Sequence, residues 1–192
     1  LAGHTLKLDF LGLTASPLAL TLFLWSMTVT TERLPIPPSM SRLWFGLHIG
    51  SLFLSIALMG LAFGAGLVYL HLERRIKAKE KLAAWTEEMP SLASFDRVNH
   101  LAVAIGFPLN TLGILAGFLW AKLTWHRIFS WDPKEIGSIV IWLLFAYLFH
   151  QRMVTGWRGR KPAKLAVLVF LVTIGSLLII NLFFSTHHSF KS

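Results

Sequence analysis

Apolar residues gather into five long runs along this chain, separated by short stretches that are polar, proline-bearing or strongly basic. A helix needs about 20 mostly apolar residues to cross a bilayer. The runs at 10–30, 43–72, 98–122, 133–152 and 163–185 meet that need and predict five transmembrane helices. The first stops at "TERLPIPPS", whose prolines cannot continue a helix. The second is long enough to tilt or to project beyond the hydrocarbon. The fourth makes a full span only when it is taken from Pro133 to Arg152. Residues 73–97, between the second and third runs, are expected to stay helical at first and to break at Pro90. The fold expected is an all-α, polytopic membrane helix bundle in one transmembrane domain covering 1–192.

Composition agrees with the pattern. The 192 residues are 55% hydrophobic and 14% charged, too apolar for the surface of a soluble domain of this length. The net charge of +9 would suit a nucleic-acid partner, but the cations lie between apolar runs, as loop charges of membrane proteins do. The partner expected is therefore membrane lipid and not nucleic acid. The loops after the second and fourth runs, with Lys7, hold twelve of the 18 Lys and Arg residues. The other six, Arg33, Arg42, Lys122, Arg127, Lys134 and Lys191, fall on the opposite side. Since basic loops stay in the cytoplasm, the N-terminus is expected inside and the C-terminus outside, in a bacterial or organellar inner membrane. The first run lacks a basic lead and a small-residue cleavage site, so no cleavable signal peptide is expected. Cysteine is absent, which excludes disulfides, thiolate metal sites, a cysteine nucleophile and haem attached to this chain through thioethers.

The expected topology sorts the eight histidines. His4, His71, His100 and His150 fall at cytoplasmic ends, and His48, His126, His187 and His188 at outer ends. Two imidazoles at one depth on different helices, within an apolar and aromatic wall, suit bis-histidine haem ligation. Zinc would want a third or fourth ligand, which His126 alone does not complete. Interfacial histidines with no ligand at all remain open on spacing alone.

The segment "WHRIFSWDPKEIG", Trp125 to Gly137, lies between the third and fourth runs. Its "DPKE" reads as a helix start: Asp132 as N-cap, Pro133 at the first helical position and Glu135 where a capping box closes. Trp120, Trp125 and Trp131 suit a membrane interface. Trp125, Phe129 and Trp131 together also form an apolar platform for a flat ligand. Lys134 and Arg127 can face anionic groups such as haem propionates. Elsewhere Gly46/Gly50, Gly60/Gly64 and Gly113/Gly117 have the spacing that permits close helix packing.

That segment resembles the tryptophan-rich WWD signature, roughly WGxxWxWDPKE, of the haem-handling membrane proteins of cytochrome c assembly (the CcsA, ResC and CcmC type). The likeness runs in order from about Leu43 to Phe190, through "LWFGLHIGSLFLSIALMGLAFGAGLVYL", "GFPLNTLGILAGFLWAK", "WLLFAYLFHQR", "GWRGRKPAKLAVLVF" and "NLFFSTHHSF". The first run is not diagnostic. The resemblance implies a non-covalent b-type haem whose iron is held from either side by His48 and His188, with the loop 120–135 against it. It implies a second haem ligand at His150 in some members. It also implies presentation of reduced haem at the outer face to an apocytochrome c or a haem chaperone.

The departures fall where delivery would be read. His126 stands where the family has glycine, Phe129 where it has tryptophan, and Ile136 where it has threonine. Thr186-His187 replaces Gly-Leu and Phe190 replaces tyrosine, which makes His187 a rival to His188. Three haem-related roles follow: a subunit of cytochrome c maturation, a CcsA-like subunit fixed in a larger respiratory or photosynthetic complex, or a HemX-like regulatory relative. A haem-free transporter is the fourth. The first is favoured because the signature is nearly intact. No Ser/His/Asp, paired-carboxylate or phosphate-loop arrangement competes.

Overall fold

In the computed structural model, residues 41–79, 90–126, 128–129 and 131–183 are described. They form four helices: α1 (Ser41–Lys77), α2 (Leu92–Trp125), α3 (Pro133–Met153) and α4 (Arg160–Phe183). All four are long and apolar enough to cross a membrane. The described chain is thus an all-α bundle of polytopic membrane type. The predicted first span, 10–30, lies outside the described residues.

Two helices exceed their predicted spans. α1 has 37 residues and α2 has 34, or roughly 55 and 51 Å of helix, against about 30 Å of hydrocarbon. α1 runs on through the polar "ERRIK", and α2 starts at Leu92, ahead of its apolar run. Both extensions lie at the basic end of the bundle, where side chains cross-link the helices.

α1 and α2 pack antiparallel, from His48 beside Gly117 to Leu72 beside Phe95. In lipid the surroundings are as apolar as a leucine side chain, so close packing and hydrogen bonds hold helices together. Small residues make that approach possible. Ser51, Ser55, Ala62 and Ala65 on α1 are buried, as are Ala102, Gly106, Gly113 and Ala116 on α2. The Ser55 hydroxyl donates to the Gly106 carbonyl at 2.9 Å. α4 closes on α1 at Gly66, where an added Cβ would stand 2.9 Å from the Ala163 carbonyl oxygen. Phe63 and Phe170 stack across the same pair of helices with centroids 4.6 Å apart. α3 joins α2 through Phe107, which meets Trp142, Phe145 and Phe149.

The core is not evenly spread. Met59, Ala62, Ala102, Val103, Phe145, Leu148, Ala166, Val169 and Phe170 form its main cluster. A second cluster, Ala65, Leu72 and Phe95, continues it toward the basic end. On α3 only Phe145, Leu148 and Arg152 are buried. Residues 133–144 of that helix are half-buried or exposed, as are residues 174–179 of α4. The opposite end therefore keeps α1 against α2 while α3 and α4 leave much of their surface uncovered, among the described residues.

At the basic end Arg152 is buried, its side chain 1% exposed. Its Nη2 donates to Asn99 Oδ1 at 2.6 Å and to Asp96 Oδ1 at 2.9 Å, and its Nε donates to Asn99 Oδ1 at 3.1 Å. Asn99 Nδ2 in turn donates to the Ala62 carbonyl at 2.8 Å, and the Gly159 amide donates to Asp96 Oδ1 at 2.9 Å. One guanidinium thereby ties α1, α2, α3 and the α3–α4 turn. Breaking such a buried pair typically costs about 3–5 kcal/mol, because the surviving charge stays buried. Outside this knot, Glu73 pairs with Lys77 at 2.8 Å and lies 3.7 Å from Arg160, and Lys161 sits over the Trp157 ring.

Candidate functional site

The end remote from Arg152 holds His48, His126 and the start of the Pro133–Met153 helix, part of the set that the sequence singles out. His48 is half-buried in the second turn of α1. Its Nδ1 lies 2.7 Å from the Gly113 carbonyl oxygen on α2. A carbonyl only accepts, so Nδ1 carries the proton and donates it. In the neutral ring Nε2 then holds the lone pair, the form in which imidazole binds a metal.

Two glycines of α2 make room for that ring. A Cβ on Gly117 would stand 2.6 Å from both Cε1 and Nδ1 of His48. A Cβ on Gly113 would stand 2.7 Å from Cγ and Cδ2 of Leu52, one turn further along α1. The Gly113/Gly117 pair, noted in the sequence only as a packing spacing, thus faces the histidine. Gly46 and Gly50, with the same spacing on α1, face nothing within 4 Å. The sequence carried the spacing but no sign of which pair meets an imidazole.

The α2–α3 connection has an unusual backbone. His126 is the C-cap of α2, with φ +55° in the left-handed region, and it is exposed. That region favours glycine, which has no Cβ to clash. His126 holds this conformation at a steric cost. Trp131 also has a positive φ, +59°, which is rare for a bulky side chain. It is 77% exposed, and Phe129 meets its edge at 5.1 Å between centroids. Phe118 on α2 lies 6.4 Å from Phe129, which extends the aromatic row. Neither positive φ was expected from the residue types, a histidine and a tryptophan.

The start of α3 follows local chemistry. Asp132 is the N-cap, buried, and its Oδ1 accepts from the Lys134 amide at 2.8 Å. Pro133 occupies the first helical position. Lys134, Glu135 and Trp120 are half-buried and held by further interactions. Trp125 is the last residue of α2. About two turns beyond Glu135, the Trp142 indole donates to the Thr111 hydroxyl at 3.0 Å, which donates to the Phe107 carbonyl at 3.0 Å. That link between α3 and α2 is absent from the sequence reading, because nothing local pairs Trp142 with Thr111. Asn110, also buried, leaves its Nδ2 without a hydrogen-bond partner.

The remaining predicted site residues are not brought here. His150 is exposed, close to Arg152 at the other end of α3. His187 and His188 lie outside the described residues. Among the described residues, no group of three or more His, Cys, Asp or Glu comes together to hold a metal ion.

Four helices long and apolar enough to cross a membrane define an all-α protein of polytopic membrane type, with His48 and the aromatic α2–α3 connection at the same end of the bundle. The comparisons with known proteins narrow the class. The model of the cytochrome c assembly protein family matches residues 2–188, and this chain belongs to that family. The cytochrome c biogenesis protein CcsA of Chlamydomonas reinhardtii is 31% identical over 81% of this chain and 43% of its own length. CcsA of Chlorella vulgaris is 31% identical over 96% of this chain and 68% of its own length. CcsA of Microcystis aeruginosa is 41% identical over 57% of this chain and 34% of its own length. The chain spans less than two thirds of the length of most of these curated relatives, 43%, 61% and 64% for three of them. No solved structure matches it.

Proposed function

We propose that this chain is a haem-binding subunit of CcsA-type cytochrome c maturation. It holds a non-covalent b-type haem at the outer face of the membrane, with His48 and His188 as the axial ligands. Trp120, Trp125 and Trp131 form the wall against which the haem lies, and Lys134 and Arg127 meet its propionates. The observation that carries the reading is His48, pinned through Nδ1 and left with Nε2 as donor, at the loosely packed end that also holds the aromatic connection. Family membership supports it independently.

His48 fits the group: a neutral Nε2 donor beside aromatic surface suits haem iron. When bound, haem supplies the redox-active iron and the vinyl groups to which apocytochrome thiols add. The chain's own residues fix one ligand, exclude water with aromatic surface and present charge to the propionates. No acid–base chemistry is assigned to them. In this reading the basic end faces the cytoplasm, and His188 is preferred to His187 as the second ligand. His126 lies at the mouth of the site, and His150 is a weaker candidate for a second haem. The partners are a c-type cytochrome and other assembly subunits.

The test is a reduced-minus-oxidised absorption spectrum of the purified protein, repeated for His48→Ala and His188→Ala. A b-type signal lost in both variants supports the pair. A wild type that is haem-free after gentle purification from haem-replete cells ends the assignment.

A further inference from the structure

We infer that Gly113 and Gly117 are positioning residues for His48, fixing which of its nitrogens is offered to the iron and at what angle. This rests on the reading of His48 as a haem ligand. The two glycines act differently. Gly117 supplies an absence: the imidazole lies where any Cβ would stand, 2.6 Å from two ring atoms. A separation under 3 Å is a collision, and ring and helix backbone are both too stiff to yield cheaply. Gly113 supplies a group: its carbonyl takes the Nδ1 proton at 2.7 Å. Its missing side chain also lets α1 come close enough for that bond, since a Cβ there would stand 3.2 Å from the Leu52 backbone nitrogen.

The chemical consequence follows from the tautomer. A histidine that shares its outer N–H with a carbonyl is a stronger electron donor at its other nitrogen. Such a ligand favours ferric over ferrous iron and lowers the reduction potential. The glycine pair is therefore coupled to the redox state of the haem as well as to its retention. Contact with iron is made by His48 alone.

The experiment compares glycines within the full chain, purified with its haem. Gly117→Ala is expected to lose or broaden the low-spin spectrum and to shift the reduction potential. Gly50→Ala, on a helical glycine with open space around it, should leave both unchanged. Because Gly117→Ala can also disturb the packing of α1 on α2, a second arm leaves the glycines intact. His48→Gly is supplied with imidazole or with 1-methylimidazole. Only the first can donate a proton to the Gly113 carbonyl, so it should restore the spectrum with roughly 2–10-fold higher affinity, the worth of one net hydrogen bond. Equal rescue by the two compounds, or a Gly117→Ala protein with wild-type spectrum and potential, overturns the inference while leaving His48 as ligand. A His48→Gly protein with an unaltered haem spectrum overturns the ligand assignment itself, and this inference with it.

Discussion

Two buried asparagines on the same helix show how the ends of the bundle differ. Asn99, at the basic end, uses both sides of its amide: Nδ2 donates to Ala62 and Oδ1 accepts from Arg152. Asn110, three turns along α2, keeps an unpartnered Nδ2. The first belongs to a knot that joins every described helix but α4, and reaches the turn before it. The second lies in the half where α3 and α4 bury little. A chain that must stay folded in lipid needs one closed end, since polar groups left unpaired there are costly. Among the described residues, one end is tied by this knot, and the other is where rings, a strained connection and an unpartnered amide donor coexist.

Substitutions can break that contrast, beginning at the closed end. Asp96→Ala strips Arg152 and the Gly159 amide of a shared acceptor, so a loss of about 3–5 kcal/mol is expected. Unfolding in detergent measures it, and a loss below about 1 kcal/mol would show that the knot is not what closes this end. Asp132→Ala, at the other end, removes the N-cap of α3, a loss of about 0.5–2 kcal/mol for the cap itself. It should also reduce haem retention more than its stability loss explains, if the start of α3 frames the site. His126→Gly relieves a left-handed residue and should stabilise the fold by about 1 kcal/mol. A destabilised His126→Gly protein would mean that the imidazole makes a compensating contact. Asn110→Leu is expected to change stability by less than about 0.5 kcal/mol, because it deletes an unmatched donor. The matching Asn99→Leu should be far more damaging, and equal effects from the two would erase the distinction between the ends.

What could be read from the sequence was local or periodic. Four of the five spans are present as helices, because long apolar runs leave the backbone no other way to satisfy its hydrogen bonds in lipid. The Asp132 cap was legible because cap, proline and amide lie within three positions. The helical continuation past the second apolar run and the break at Pro90 were legible as well, and α1 runs through "ERRIK" to Lys77. The start of α2 at Leu92, six residues ahead of its apolar run, was not, because Asp96 is held there by Arg152 from α3. Arg152 looked like one more loop cation, and its burial depends on Asp96 and Asn99, more than fifty residues earlier. The candidate site divides the same way. His48 stands out in the sequence as a candidate, but its bond to Gly113 spans 65 positions and its tautomer follows from that bond alone. The first run, His187 and His188 remain expectations of the sequence, outside the described residues.

The Arg152 knot also bears on how the protein is made. Asp96 and Asn99 leave the ribosome well before Arg152, and Gly159 follows last. An arginine handed to the bilayer without partners carries an insertion penalty of about 2.5–3.5 kcal/mol at a helix centre, less near an end. α3 therefore gains its full preference for the membrane only once α2 is already seated beside it. A chain stalled before residue 159 would hold its arginine without the Gly159 amide that completes the clasp.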